Sequence, residues 1–373
     1  MYNSAKIILT LTLASQLIIS TVAAASSASP VPVSPVSAPA ETTALRTNAS
    51  TPSVPVSRGP APAAPTAQAP AATTQTQPDF ITFGEGPKGR SAIDKSKDKK
   101  LQALLAETVP QFKQYSYLDK VSGRTINYNL FVPAGYKKDQ SYPLLMFIGD
   151  ASTVGADTTI PLQRGYSPAV WAAASSQAKQ PCLVLVPQYN GVVIDDHNGF
   201  KVTPDVEATA RLVQTVARDY GADEKRLYST GQSMGCMITL YLAAKHPDLF
   251  AATLLVSGQW DLKDLAPLAR QKFFYLAAGG DPKASQGQRE LLSLLQQQGS
   301  KVSTASWDAR KSEAALSRAA RREIAAGNPI NFATFVTGSV LPAGVKSNNE
   351  HMYSFDHACQ ISAVREWLLA QHK

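Results

Sequence analysis

The sequence predicts an α/β fold, with a mostly parallel central sheet covered by helices on both faces. Three observations lead there. Short apolar runs recur along the chain: YPLLMFIGD (142–150), PCLVLVPQY (181–189), FAATLLVSG (250–258) and KFFYLAAGG (272–280). Runs of that length and continuity suit strands buried on both sides. Between them lie segments with helical spacing and helix-end residues. Strand–helix alternation of this kind builds a parallel sheet with right-handed crossovers, whose active-site loops lie at the strands' C-terminal ends.

Taken in order, QFKQYSYLDK (111–120) and RTINYNLFVP (124–133) read as an antiparallel hairpin turning at Val121-Ser122-Gly123. The two buried strands 142–150 and 181–189 follow, separated by a helical SPAVWAAASSQAK (167–179). TPDVEATARLVQTVARDYG (203–221) carries its own punctuation, with Thr203 as cap, Pro204 at the first helical position and Gly221 at the end. RLYST (226–230) is a further strand, and MGCMITLYLAAKHP (234–247) is the helix after it. After strands 250–258 and 272–280, SQGQRELLSLLQQQGS (285–300) reads as a helix ending at Gly299. The final helix is expected from Phe355 or Asp356 through Leu369, because Ala358, Ile361, Val364, Trp367 and Leu368 recur on one face.

The segments before this region read differently. Residues 1–25 place Lys6 before an apolar core that runs into Ala23-Ala24-Ala25, the pattern of a secretory signal peptide, with an uncleaved anchor as the alternative. Polar Thr10, Thr12, Ser15 and Gln16 interrupt the run and favour the signal. Residues 26–78 are largely Ala, Pro, Ser, Thr and Val. Such a stretch buries too little apolar surface to offset the entropy of ordering and is expected to be a disordered linker. The catalytic domain is then expected at 79–373, and the protein is expected to be exported to the periplasm or beyond the cell, with no lasting membrane insertion.

The net charge is +8, concentrated partly in DKSKDKK (94–100) and ARKSEAALSRAARRE (309–323). Neither stretch interleaves aromatics with its basic residues and no nucleic-acid motif occurs, so a solvated basic face is expected and nucleic acid is not a partner. Three cysteines, Cys182, Cys236 and Cys359, allow at most one intrachain bridge. Cys236–Cys359 is the pair to consider, although buried free thiols are the expected state. No spacing of ligand residues defines a metal site.

The chemistry concentrates at YSTGQSMG (228–235), where Gly-x-Ser-x-Gly falls between a strand and a helix. That slot is what a nucleophile elbow requires, and Ser233 is its candidate nucleophile. Gly231 and Gly235 relieve crowding. The helix N-terminus, with the backbone N–H of Met234, supplies one oxyanion donor. A serine needs a base and an orienting acid, in the chain order Ser, acid, His. Asp281, in YLAAGGDPKAS at the end of a later strand, is the candidate acid, and it also reads as an N-cap for the helix after it. Asp261 in SGQWD is the second choice. Of five histidines, His246 reads as a helix-end residue, His372 is penultimate and His197 lies upstream of the serine in DDHNGF. His351 and His357 remain for the base.

The series YNLFVPAGY, YPLLMFIGD, LVLVPQ, RLYSTGQSMGCMITLYLAAKHPDLFAATLLVSG, GGDPKA, EHMYSF and REWLL resembles the α/β-hydrolase superfamily. Within it, the series is similar to secreted polyhydroxybutyrate-depolymerase-like and feruloyl-esterase-like enzymes and to predicted peptidases, from about residue 111 to the C-terminus. The resemblance implies an eight-stranded-type core sheet, a Ser233–Asp281–His351 triad and acyl transfer to water without a cofactor. Helix placement agrees on His351, since His357 falls inside the first turn of the final helix while His351 precedes it in a loop.

Two departures stand out. Relatives carry His-Gly where this chain has Gly149-Asp150-Ala151, so the second oxyanion donor is expected from the backbone N–H of Asp150 or Ala151, with the Asp150 carboxylate turned away. The stretch 308–348 reads as an insertion of a basic helix, a strand and a loop, which either extends the sheet or overhangs the site. Trp260, beyond a strand at the catalytic edge, reads either as a wall for the acyl group or as core. The activity expected is cleavage of small-molecule or polymer carboxylic esters by an exported serine hydrolase. A serine peptidase on the same triad, or a non-catalytic module binding envelope polymer, is the alternative.

Overall fold

The structure, a computed structural model, describes residues 93–197 and 199–373. The expected signal segment 1–25 and linker 26–78 lie outside the described residues. Eleven strands are present among those described: β1 (Lys113–Leu118), β2 (Thr125–Phe131), β3 (Tyr142–Ile148), β4 (Leu183–Gln188), β5 (Ile194–Asp195), β6 (Lys201–Val202), β7 (Ala222–Gln232), β8 (Ala252–Val256), β9 (Phe273–Ala278), β10 (Val302–Trp307) and β11 (Ile330–Phe335). Nine form one sheet in the order β1-β2-β4-β3-β7-β8-β9-β11-β10, while β5 and β6 pair separately. The hairpin β1–β2 is antiparallel, with Tyr115 opposite Tyr128 and their rings stacked 5.4 Å apart. From β4 to β10 every pairing is parallel.

The apolar runs are buried on both faces, as their continuity requires. Along β3, Leu144, Met146 and Ile148 join one core, and Leu145 and Phe147 join the other. The first core is covered by α2 (Pro204–Asp219), α3 (Met234–Lys245) and α4 (Pro282–Gln297), following α1 (Lys99–Thr108) in the chain. The second lies under α1, α5 (Glu313–Ile324), α6 (Ser354–Gln360) and α7 (Ser362–Leu369). This is the α/β-hydrolase arrangement, with helices on both faces of a mostly parallel sheet. Complete burial of each such Leu, Ile or Phe contributes roughly 1.5–3 kcal/mol.

Two helices, and the strand count of the sheet, differ from expectation. Residues 167–179 form two four-residue helices, Ala169–Ala172 and Ala174–Gln177, separated where Ala173 turns to ψ 137. The Gln177 side chain donates to the Trp171 carbonyl across the break (2.8 Å). The final helix is likewise interrupted at Ile361, which adopts φ −70, ψ 100 and lies wholly buried. Finally, the 308–348 stretch is built into the sheet. Its strand β11 sits between β9 and β10 and extends the sheet to nine strands, beyond the eight-stranded type that the resemblance implies.

Candidate active site

The end of β7 and the start of α3 meet in one residue. Ser233 has φ 53 and ψ −115, a region an L-residue enters only under strain, of order 1–3 kcal/mol. Its N–H bonds to Val256 O (3.0 Å) and its carbonyl accepts from Met237 N (3.0 Å), which leaves the hydroxyl as the group the turn presents. The need for flanking glycines is steric. A Cβ on Gly231 would overlap the Gly235 carbonyl group, and one on Gly235 would overlap the Ile148 carbonyl at the end of β3.

Ser233 Oγ lies 2.8 Å from His351 Nε2, and His351 Nδ1 lies 2.6 Å from Asp281 Oδ2. Asp281 is buried, and the imidazole edge packs against the Phe355 ring 5.2 Å away. The carboxylate can only accept, so it selects the tautomer with the proton on Nδ1 and leaves the Nε2 lone pair facing the serine hydroxyl. Such a chain can take a proton from the serine and return it to a leaving group. Asp281 Oδ1 also accepts from Ala284 N (3.2 Å), capping α4. The cap and acid readings of Asp281 are therefore compatible: one oxygen serves each.

Asp261 lies elsewhere, capping a short helix through Lys263 N at 3.1 Å. His357 is inside α6, half-buried, with Nε2 directed at Val340 O (3.3 Å). Partial burial lowers its pKa below the usual histidine value. His246 closes α3 against Glu207, 2.8 Å away, at the surface. His351 begins a 3-10 turn, His351–Tyr353, rather than sitting in an open loop.

On the oxyanion side, Met234 is the first residue of α3, so its N–H has no partner within the helix. Asp150 follows β3, and its carboxylate is turned into its own loop, accepting from Ser152 N (2.8 Å) and Gln232 Nε2 (2.9 Å). Gly149 must be glycine here, since a Cβ would strike the Thr153 hydroxyl. The main chain at Gly149 runs against Gly235 at the start of α3.

Of the two readings of Trp260, the structure places it in the core. It is buried, edge-on to Phe200 (5.1 Å) and Tyr241 (6.1 Å), with Nε1 to Asp264 Oδ2 at 3.3 Å. Ser233, Asp281 and His351 line a cavity of about 150 Å³, and Trp260 is not among its lining residues. The β8 strand ends two residues before Gln259, and it is Gln259 that faces the cavity while Trp260 turns inward.

Asp196, His197, Gln259 and Lys283 also line the cavity, although the sequence reading puts His197 in a loop upstream of the nucleophile. Lys283 Nζ pairs with Asp196 Oδ1 (2.9 Å), Gln259 Nε2 donates to Asp196 Oδ2, and His197 Nδ1 meets Asp195 Oδ1 (2.5 Å). Asp195, Asp196 and His197 bring possible metal-ligand atoms within 4.8 Å of one another. Their carboxylates are engaged by Lys283, Gln259 and His197. The one signal for this group in the sequence is the charge density of DDH, which by itself reads as an ordinary solvated loop.

Residues 120–327, more than half of the chain, match the family Esterase, described as "Putative esterase". Over 62 residues the chain is 42% identical to acetylxylan esterase A of Aspergillus ficuum, covering 17% of this chain and 20% of that one. A match of 40% identity, also over 62 residues and 17% of each chain, is to feruloyl esterase B of Talaromyces funiculosus. The chain thus spans about a fifth of the length of the curated relatives it matches. The crystal structure of a thermostable esterase superimposes with a TM-score of 0.58 at 23% identity, covering 71% of this chain and 64% of that one, which is a likeness of fold. With that family's match running from the hairpin turn to beyond α5 across this sheet, the chain belongs to the esterase family of α/β-hydrolases.

Proposed function

We propose that this protein is an exported serine hydrolase of carboxylic esters, with Ser233 as nucleophile, His351 as base and Asp281 as the acid that orients it. The observation that carries the reading is the continuous Ser233–His351–Asp281 hydrogen-bonded chain, 2.8 and 2.6 Å, at the C-terminal edge of a parallel sheet. Ser233 attacks the ester carbonyl as His351 takes its proton. The tetrahedral oxyanion is held by the N–H of Met234 and by an N–H at Asp150 or Ala151. His351 then protonates the departing alcohol, and water repeats the sequence on the acyl-enzyme.

A cavity of about 150 Å³ is below the roughly 300–1,000 Å³ usual for small-molecule clefts. It favours a short acyl group such as acetyl, in line with the acetyl ester in the name of one relative, over a feruloyl group. Purified protein is expected to take up a fluorophosphonate probe and to hydrolyse p-nitrophenyl acetate faster than long-chain esters. Loss of labelling in Ser233→Ala supports the reading. A folded wild type that neither labels nor turns over ester favours a polymer-binding module, and amidase activity exceeding esterase activity favours a peptidase. Export predicts a mature N-terminus near Ser26, and N-terminal sequencing that finds Met1 on protein from the native host removes that part.

A further inference from the structure

We propose that Glu350 is the positioning residue of this site: its buried side chain and main chain lock His351 and Asp281 into register. The inference rests on the hydrolase reading above. His351 stands at the end of a long connection, since residues 336–350 contain no helix or strand. A segment of that length would carry a catalytic base loosely unless something fixed its end. Glu350 does so at three points. Its N–H bonds to Gly280 O (3.1 Å), joining the residue before His351 to the residue before Asp281. Its carboxylate accepts the N–H of Gly338, which follows β11. Its carbonyl accepts from Tyr353 N (3.1 Å), closing the 3-10 turn that carries His351.

The packing is equally specific. Glu350 is 1% exposed, and a Cβ on Gly280 would overlap its carboxylate, which accounts for the glycine before Asp281. Burying a carboxylate costs several kcal/mol unless its bonds are good, and among the described residues the second oxygen, Oε2, has no hydrogen-bond partner. An apolar side chain would fill the same space at lower cost, so what the acid adds is the reach of its oxygen to Gly338. On the opposite side, the His351 carbonyl accepts from Ser354 Oγ (2.8 Å), which pairs with Ser257 Oγ (2.7 Å). The turn bearing the base is thereby held from both ends.

The test measures kcat and KM on p-nitrophenyl acetate and the rate of fluorophosphonate labelling, which reads Ser233 reactivity whatever the natural substrate. Glu350→Ala is expected to lower kcat and labelling about tenfold to a hundredfold, with KM within about twofold, as for a displacement of up to about 1 Å. Glu350→Gln keeps the reach to Gly338 and is expected to retain activity within about threefold, whereas the shorter Glu350→Asp loses about tenfold. This Gln–Asp pair decides the matter even if the alanine variant fails to fold. Asp matching wild type while Gln falls would show that charge is what matters and overturn the proposal. Wild-type labelling in Glu350→Ala would overturn it while leaving the hydrolase reading intact, whereas a wild type that never labels removes both.

Discussion

Gln232 and Asp150 are joined by a hydrogen bond of 2.9 Å from the glutamine amide to the carboxylate, which ties the residue before Ser233 to the end of β3. This bond occupies one oxygen of an acid that stands beside the position proposed for the second oxyanion donor. The second carboxylate oxygen is taken by Ser152 N, and Thr153 closes on the Asp150 carbonyl from both its N–H (2.9 Å) and its hydroxyl (2.7 Å). Both carboxylate oxygens are thus engaged, one within the loop and one by Gln232 at the end of β7. Gln232→Ala is expected to leave one carboxylate oxygen unpaired and the loop misplaced. Steady-state kinetics should show kcat about tenfold lower with KM little changed, less than the hundredfold or more for losing an oxyanion donor outright. An unchanged kcat would place the donors elsewhere.

The two histidines of the C-terminal region should separate sharply. His351→Ala is expected to reduce ester turnover about a thousandfold or more, with little change in Tm. His357→Ala should keep most activity and lose stability instead, because the half-buried ring packs against Phe335, 6.1 Å away, and its Nε2–H is committed to Val340 O. Turnover and melting curves on both variants check this, and a reversed pair would overturn the assignment of the base.

Glu323, near the end of α5, offers a pH test independent of activity. Burial raises its carboxyl to about 8, against a smaller lowering by the Phe332 backbone. A raised acid is neutral in the folded state at pH 7 and ionised when unfolded. Its contribution to stability is therefore fully present below the ordinary pKa near 4.5 and is lost as pH rises through about 8. Glu323→Gln removes that titration. The Tm of the wild type relative to this variant should fall steadily between pH 5 and pH 8, and a constant difference would count against the buried neutral acid.

The thiols should stay reduced and unreactive. Cys236 belongs to the core on one face of the sheet, and Cys182 and Cys359 belong to the core on the other, so the Cys236–Cys359 bridge is precluded by the sheet between them. Burial pushes Cys182 and Cys359 up to about 12 and Cys236 higher still, so almost no thiolate is present near neutral pH. Intact mass is expected to be the same with and without reductant, and a thiol reagent should count three groups only after denaturation. A 2 Da change on reduction would contradict this.

Sequence alone determined the parallel sheet and the glycine-flanked turn at Ser233. Runs such as 142–150 and 272–280 are apolar on both faces, and only a strand covered on both sides makes use of that. Gly231 and Gly235 mark a tight turn in the sequence, although what excludes a side chain at Gly235 is the distant Ile148 carbonyl. Tertiary structure decided what depends on facing, because a sequence reports the order of residues and not which way a side chain points at the end of a strand. Trp260 and Gln259 are adjacent, yet one turns into the core and the other into the cavity. Asp196 reaches Lys283 from 87 positions away, and Glu350 reaches Gly338 and Gly280 from different strand ends. The placing of β11 between β9 and β10 was likewise hidden, since a strand's neighbours are chosen by packing over the whole sheet rather than by its own composition.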